Sequence, residues 1–265
     1  MVSSTIPLTH LNAYLFSLME TGRIKQSIDR VSASAEPVVE FIRRAQAGKR
    51  AGVFASSFNP VTTAHIELMR LASAQFSLDE IIALAGAANA DKSKYECSLE
   101  DRLMMLTLAL EADERASVGL SSHAYFVDMA EALAQVCAPE TDLHFILGFD
   151  TFERVLDAED RYRAKYHRRF ASRREAIDWL LVRCRLIVAP RAGFGEREIR
   201  ALAEREDLAA DRVLILSAPG DLGERSATEA RTRASKGGSI SALVPPMVER
   251  YILEKSLYRR KGSSC

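Results

Sequence analysis

The residues best suited to chemistry lie in one short stretch, FASSFNPVTTAH, at positions 54–65. It carries one imidazole, His65, and the hydroxyls of Thr62 and Thr63, after the small residues Ala55, Ser56 and Ser57. Backbone N–H groups at a helix start carry partial positive charge and bind phosphate readily. If a strand ends and a helix begins here, these groups form a polyphosphate site. The simpler alternative is a capped turn with an incidental histidine.

A second polar stretch, ERSATEAR at 224–231, carries a related pattern late in the chain. Ser226 and Glu229 have capping-box spacing, which predicts a helix start. Thr228 and Arg231 are three residues apart and therefore share one face of that helix. A hydroxyl, an open helix end and a guanidinium suit the β- and γ-phosphates of a nucleotide. Alone, the pattern fits a surface cap better, and it gains weight only beside the first stretch.

The rest of the chain alternates between strand and helix patterns. Apolar runs predict strands at 52–55, 80–85, 116–120, 143–147, 185–189 and 213–217. Helices are predicted from about 64 to 76, after a cap signature at Ser98 and Asp101, near 126–136, and twice at the end of the chain. This alternation predicts the α/β class with a parallel, doubly wound sheet. Ligands bind such sheets at the carboxyl ends of strands, which is where residues 54–65 begin.

Residues 1–48 are predicted to be a helical N-terminal appendage that packs on the main domain, 49–262. The apolar residues at helical spacing are Leu11, Leu15, Phe16 and Met19, and Pro37 opens a second helical pattern with Val38, Phe41 and Ile42. A regulatory or partner-binding arm is the less favoured alternative.

Composition removes several classes of protein from consideration. The 265 residues are 48% apolar and 27% charged, and Lys+Arg equals Asp+Glu at 36 each, so global charge favours neither nucleic acid nor an anionic membrane. Four scattered cysteines suit a reduced compartment better than a disulfide framework or a zinc site. No run approaches the roughly 18 apolar residues of a membrane span, and no secretory signal is visible. We expect the cytoplasm, with the nucleus left open.

The stretch 161–174, RYRAKYHRRFASRR, holds seven Lys and Arg residues with aromatic residues between them. We predict a solvated insertion helix, anchored to the domain by Trp179, Leu180 and Leu181. Contact with nucleic acid or phosphorylated metabolites is the less favoured alternative.

The two polar stretches together resemble a known superfamily, the nucleotidylyltransferases. FASSFNPVTTAH is similar to its (T/H)xGH signature, and most similar to the adenylyltransferases that make NAD from nicotinamide or nicotinate mononucleotide. ERSATEAR resembles the ISSTxxR signature, and the ending GGSISALVPPMVERYILEKSLY resembles the family's ending. The departures are Ala55, Ser56 and Ala64 in place of loop glycines, and Arg225 and Ala227 in place of isoleucine and serine.

The resemblance implies a Rossmann-like nucleotidylyltransferase fold that transfers AMP from ATP to a pyridine mononucleotide and releases pyrophosphate. Catalysis would then be mostly positioning and charge neutralisation. The implied catalytic residues are His65 at the α-phosphate, Thr62 and Arg231. The implied ATP-binding residues are Ala55, Ser56, Ser57, Phe58, His65, Ser226, Thr228 and Arg231. One Mg²⁺ would be held mainly by the nucleotide and waters.

The resemblance also implies contacts with the substrate. Either Lys92 or Lys94 would meet phosphates, and Arg102 matches an arginine often found after the cap at Ser98. Gly148 and Asp150 resemble the family's G-x-D element, in which the glycine lets substrate approach and the aspartate contacts a nucleotide ribose.

Several alternatives stay open from the sequence. The base of the acceptor could be an amide or an acid, and the oligomeric state is open, with a homo-oligomer as one possibility. A sibling enzyme would use another phosphorylated acceptor, such as pantetheine phosphate. A degenerate paralogue would only bind or slowly hydrolyse ATP. The observation that supports this alternative is the departure from the signature at Ala55, Ser56, Ala64 and Ala227.

Overall fold

The structure is a computed structural model that describes residues 8–87, 96–191, 193–219, 222 and 226–259. Within these residues, seven strands form one sheet in the order β1-β4-β3-β2-β5-β6-β7. The strands are β1 (Val39–Arg43), β2 (Arg50–Ser56), β3 (Glu80–Gly86), β4 (Ala116–Ser121), β5 (Asp142–Gly148), β6 (Cys184–Ala189) and β7 (Val213–Ile215). All neighbouring strands run parallel except β1, which pairs antiparallel with β4.

Helices cover both faces of this sheet. They are α1 (Leu8–Ala33), α2 (Thr63–Phe76), α3 (Leu99–Leu110), α4 (Phe126–Val136), α5 (Phe149–Leu156), α6 (Arg173–Arg183), α7 (Glu196–Arg205), α8 (Ala227–Ser235) and α9 (Pro246–Glu254). One apolar core lies between the sheet and α1, α2, α3, α8 and α9, and a second core lies between the sheet and α4 to α7. The doubly wound α/β class is therefore confirmed, and the predicted strands are present with bounds shifted by up to two residues.

The central strands form because their residues can be buried on both faces. Residues 80–85 of β3 and 143–147 of β5 are continuously buried, the pattern expected where helices cover both sides of a parallel sheet. Strand order reverses between β2 and β5, which pair only from Arg50↔Asp142 to Val53↔Phe145. Their carboxyl ends then separate and leave a crevice at the switch point, the place where such sheets bind ligands.

The N-terminal region agrees with the sequence prediction only in part. The helix is present as α1, but the second helical pattern from Pro37 is wrong, because residues 39–43 form β1. Val38 N–H donates to the Ser122 hydroxyl at 2.9 Å, and β1 lies along the edge of β4. Its residues therefore pair into the sheet of the main domain, although they fall within the predicted appendage. The division of the chain at residue 48 stays a prediction.

The basic stretch 161–174 also differs from its predicted form. Instead of one helix it contains a short 3₁₀ turn, Arg163–Lys165, and irregular backbone before α6 begins. The carboxylate of Asp157 accepts the backbone N–H groups of Arg161 and Tyr162 at 2.7 and 2.9 Å, which folds this segment as a loop. Leu180 and Leu181 are buried, as predicted. The arginines that form ion pairs with carboxylates are Arg161, Arg163, Arg168, Arg173 and Arg174, so much of the positive charge is compensated.

No helix in the described part of the chain combines the length and apolar character needed to cross a membrane.

Candidate active site

A cavity of about 440 Å³ opens where β2 and β5 separate. Residues from both polar stretches and from the end of β5 line it, although they are far apart in the sequence. The predicted site residues on its wall are Ala55, Ser56, Ser57, Thr62, His65, Gly148, Asp150, Ser226, Thr228 and Arg231. The fold thus brings the two predicted phosphate stretches to one place.

The start of α2 fixes the orientation of the imidazole. Thr62 is the N-cap residue, and its hydroxyl accepts the backbone N–H of His65 at 3.3 Å. In return, the backbone N–H of Thr62 donates to Nδ1 of His65 at 3.0 Å. Because Nδ1 accepts this hydrogen bond, a neutral ring carries its proton on Nε2. The capping box therefore leaves an Nε2–H donor for a group in the cavity.

His65 is set to remain neutral at physiological pH. Its ring packs against Phe54 and Phe58, with ring centroids 5.6 and 5.4 Å apart, and part of the residue stays open to the cavity. This burial lowers the pKa of His65 to about 4, and the positive charge of Arg191 acts in the same direction. A neutral imidazole with its proton on Nε2 can donate one hydrogen bond to a negatively charged group in the cavity.

Two predicted site residues lie behind the loop instead of on the cavity wall. Phe58 is fully buried and has a positive φ of 44°. Arg102 is 2% exposed and donates from Nη1 to the carbonyl of Ser57 at 2.8 Å. Both residues support the shape of the loop, and their predicted contacts with ligand stay predictions. Lys92 and Lys94 lie outside the described residues.

The second stretch starts a helix, as predicted, and is bonded to the first. Ser226 is the N-cap of α8, where its hydroxyl accepts the backbone N–H of Glu229 at 3.1 Å. Arg231 donates from Nη2 to the Thr228 hydroxyl at 3.3 Å and from Nη1 to the carbonyl of Asn59 at 2.7 Å. Glu96 lies 3.4 Å from its Nε. A hydroxyl, a guanidinium and a helix start therefore face the same cavity as His65.

Two arginines that were not predicted from the sequence also belong to the cavity wall. Arg191 lies 3.5 Å (Nη1) from Oδ1 of Asp150, and Arg154 lies 3.8 Å (Nη2) from its Oδ2. Both arginines line the cavity. Arg191 follows the end of β6 just as Asp150 follows β5, so the rule about carboxyl ends of strands could have found it. Arg154 lies on α5, a helix the sequence analysis did not predict.

A cluster of aromatic residues also lines the cavity. The Tyr125 ring lies 5.7 Å from that of Tyr162 and 5.4 Å from that of Tyr166, between ring centroids. Phe126 lies beside them, where α4 begins without a side-chain cap. Flat apolar faces next to backbone donors suit a planar ring that carries polar groups. The tyrosines at 162 and 166 lie in the basic stretch that the sequence predicted to be solvated.

Comparison with known proteins gives consistent matches in sequence. The model of the Cytidylyltransferase-like family matches residues 53–122. A probable nicotinate-nucleotide adenylyltransferase of Synechococcus sp. (strain JA-3-3Ab) is 31% identical over 218 residues, which cover 79% of this chain and 95% of that protein. A protein of the same name from Geobacter sulfurreducens is 29% identical over 237 residues, covering 80% of this chain and all 100% of its own length.

A solved structure supports the same fold. Nicotinic acid mononucleotide adenylyltransferase of Plasmodium falciparum, complexed with NaAD, superposes with a TM-score of 0.58 at 17% sequence identity. The superposition covers 79% of this chain and 97% of that one. At this identity the likeness bears on the fold alone.

Proposed function

Because the chain belongs to the nicotinate-nucleotide adenylyltransferase family, we propose that it transfers AMP from ATP to nicotinate mononucleotide. The products are the acid dinucleotide and pyrophosphate. The observation that carries the proposal is the meeting of His65, Thr228 and Arg231 on one cavity at the switch point of the sheet. The names of the relatives favour the acid over the amide acceptor, and the pantetheine-type alternative loses its support.

The reaction needs no nucleophile from the protein. A phosphate oxygen of the mononucleotide attacks the α-phosphorus of ATP, and the bond from that phosphorus to the bridging oxygen of pyrophosphate breaks. Both substrates bring their own charge, so catalysis consists of in-line positioning and stabilisation of negative charge. We assign the Nε2–H of His65 to an α-phosphate oxygen, where its hydrogen bond strengthens as charge develops.

The leaving pyrophosphate would lie at the start of α8. Thr228 and Arg231 supply a hydroxyl and a guanidinium there, and the first N–H groups of the helix add partial positive charge. The bond from Arg231 to the carbonyl of Asn59 ties this side of the site to the loop before His65. The α-phosphate and the leaving group would therefore be held in a fixed relation.

The rest of the cavity suits the nucleosides. Asp150, the second residue after β5, is exposed, and we assign it to accept hydrogen bonds from ribose hydroxyls, as the G-x-D resemblance implies. Arg191 lies beside Asp150 and lines the same cavity as His65, and we assign it to phosphate oxygens between the two nucleosides. The aromatic cluster around Tyr125 and Tyr162 would take a planar base.

The scarcity of carboxylates among the described residues of the cavity wall fits a metal ion that arrives with the nucleotide. Asp150 is the one carboxylate among the described residues of the cavity wall, and the described residues contain no group of three metal-binding side chains. We propose that Mg²⁺ is held mainly by ATP phosphates and waters, because it retains its waters and rarely needs a full protein cage. When bound, the ion would neutralise polyphosphate charge.

The predicted place of this reaction is the cytoplasm.

The first test is product formation. The full chain is incubated with ATP, Mg²⁺ and either nicotinate or nicotinamide mononucleotide, and dinucleotide and pyrophosphate are measured by chromatography. We expect the acid dinucleotide as the main product and its loss in His65→Ala. If ATP binds but neither acceptor yields a dinucleotide, the proposal is wrong and the ATP-binding paralogue becomes the better description.

A matched pair on α8 tests the pyrophosphate end. Thr228→Ala should raise the KM for ATP about three- to tenfold, the loss expected for one hydrogen bond. Thr232→Ala, one turn further along the same helix and exposed, should leave it unchanged. Equal effects of the two substitutions would remove Thr228 from the site.

A further inference from the structure

The loop before His65 is held from two directions at a single residue, Asn59. Its backbone carbonyl accepts a hydrogen bond from Nη1 of Arg231 at 2.7 Å. Its side-chain Oδ1 accepts a hydrogen bond from the hydroxyl of Tyr258 at 2.8 Å. Asn59 and Tyr258 are 6% and 8% exposed, so neither hydrogen bond is replaced easily by water. A residue near the end of the chain thus reaches the centre of the nucleotide loop.

The backbone after α9 adopts an unusual path to bring Tyr258 there. Ser256 and Tyr258 have positive φ values of 53° and 64°, in the left-handed region that residues other than glycine rarely enter. The N–H of Leu257 donates back to the carbonyl of Ile252 at 3.0 Å, which closes the turn. Contacts of the buried tyrosine must offset this conformational cost.

The Tyr258 hydroxyl is set to act as a donor. Burial raises the pKa of Tyr258 above its ordinary range, and the neighbouring Cys97 adds to the rise. The hydroxyl therefore keeps its proton, and the 2.8 Å contact with Oδ1 of Asn59 is the hydrogen bond that it donates. An amide oxygen held in this way fixes the side chain of Asn59 and, with it, the peptide whose carbonyl meets Arg231.

A second contact from the same part of the chain supports this arrangement. The backbone N–H of Thr63, which follows the N-cap of α2, donates to the carbonyl of Leu243 at 2.9 Å. The segment before α9 therefore holds the helix end of the loop, while Tyr258 holds its middle. Both contacts lie outside the cavity wall, so neither residue needs to touch ATP to affect its binding.

We propose that Tyr258 is a positioning residue for the β- and γ-phosphates of ATP. It acts through Asn59, whose carbonyl sets the direction of the Arg231 guanidinium beside Thr228. The proposal rests on the proposed function, because it assigns Arg231 to the phosphates. It predicts that losing one hydroxyl behind the loop weakens ATP binding and spares the acceptor.

The structure offers a matched control on the same C-terminal segment. Tyr251 also donates its hydroxyl to a side-chain oxygen at 2.8 Å, but the acceptor is Asp101 on α3, not a loop residue. Tyr251→Phe and Tyr258→Phe each remove one hydroxyl from a partly or fully buried tyrosine. We expect similar losses of thermal stability from both, but an effect on ATP from Tyr258→Phe alone.

The expected result is a three- to tenfold rise, roughly, in the KM for ATP of Tyr258→Phe, with the KM for nicotinate mononucleotide within about twofold. Asn59→Ala, which removes the acceptor from the other side, should give the same rise. In the Arg231→Ala background, Tyr258→Phe should cause no further rise. An unchanged KM for ATP in Tyr258→Phe, a rise equal to that of Tyr251→Phe, or full additivity with Arg231→Ala would each overturn the proposal.

Calorimetric titration of ATP into the same variants separates this proposal from the proposed function. The Kd for ATP should follow the pattern expected for KM, because Tyr258 acts before the chemical step. If the wild-type chain binds ATP but forms no dinucleotide, the proposed reaction is wrong, and the Tyr258 comparison is still decided by the Kd values.

Discussion

We propose separate roles for the two ring nitrogens of His65, and two substitutions can test them one at a time. Nδ1 accepts the backbone N–H of Thr62 at 3.0 Å and so completes the cap of α2, while Nε2 is the nitrogen that we assign to the α-phosphate. In His65→Asn, the amide oxygen can replace Nδ1, but nothing reaches the position of Nε2. In His65→Gln, the longer amide can reach toward the position of Nε2, and in that orientation it no longer accepts the Thr62 N–H, although the Thr62 hydroxyl still caps the helix.

The two substitutions should affect different quantities, kcat in His65→Asn and thermal stability in His65→Gln. Loss of one preorganised donor to a transition state costs about 10²- to 10³-fold in kcat, so His65→Asn should show that loss. Loss of an N-cap interaction costs about 1 kcal/mol, which lowers the melting temperature of a chain of this size by about 2–4 °C. His65→Gln should retain at least about tenfold more kcat than His65→Asn, and its melting temperature should fall by no more than this amount, because only the bond to the Thr62 N–H is given up when the amide turns toward the position of Nε2. The stability of His65→Asn should stay close to that of the wild type.

Dinucleotide formation at saturating ATP and nicotinate mononucleotide gives kcat, and thermal denaturation of the same preparations gives stability. The reasoning would be refuted if His65→Asn kept kcat within about threefold of the wild type. It would also be refuted if the two variants lost kcat equally while differing in melting temperature. Either result would mean that Nε2 does not meet the charge that develops in the reaction.

Three further predictions concern pH, packing and the loop. Because the pKa of His65 lies at about 4 when folded, below its ordinary 6.5, the unfolded chain binds this proton first. The contribution of His65 to the free energy of unfolding is therefore fully present above pH 6.5 and is lost as pH falls toward 4. Urea titrations should show this loss as about 2–3 kcal/mol, and the loss should be smaller in His65→Asn. Gly52→Ala would place its Cβ 2.6 Å from Leu78 Cδ1 and should destabilise the chain by about 1–3 kcal/mol. The Cβ added by Gly22→Ala, within α1, would have no neighbour within 4 Å, so this substitution should stabilise the chain by about 0.5–1 kcal/mol. Melting temperatures that shift in the same direction in Gly52→Ala and Gly22→Ala would contradict this packing. Ala64→Gly should leave the KM for ATP within about threefold, and a tenfold fall would show that the Ala64 methyl obstructs phosphate.

Much of the site could be predicted because its signals are local. The start of α2 at the end of the first polar stretch, the cap at Ser226 and the spacing of Thr228 and Arg231 each depend on residues within one helical turn. The strands β3 and β5 could be predicted for the same reason. A strand that is buried on both faces is a continuous apolar run, which can be recognised without knowing the strands that pair with it.

The parts that escaped prediction depend on distant contacts. Residues 39–43 carry apolar residues that fit a short helix or a strand, and only their pairing with β4, far along the chain, decides for the strand. Tyr162 and Tyr166 reach the cavity because Asp157 folds the basic segment into a loop, which its charge pattern does not reveal. Arg191 becomes part of the site only when β6 is placed beside β5.

The departures from the family signature are weak grounds for a loss of function, because glycine is required only where the backbone needs it. Within the described residues 54–65, only Phe58 has φ in the left-handed region, so Ala55, Ser56 and Ala64 hold conformations open to any residue. The groups that would carry charge are in place: His65 is oriented by its cap, and Arg231 is bonded to the same loop. With these hydrogen bonds present, we expect a loop without glycines at these positions still to hold phosphates in line. We therefore assign the chemistry to His65 and Arg231, and the choice of acceptor to the aromatic residues that line the cavity.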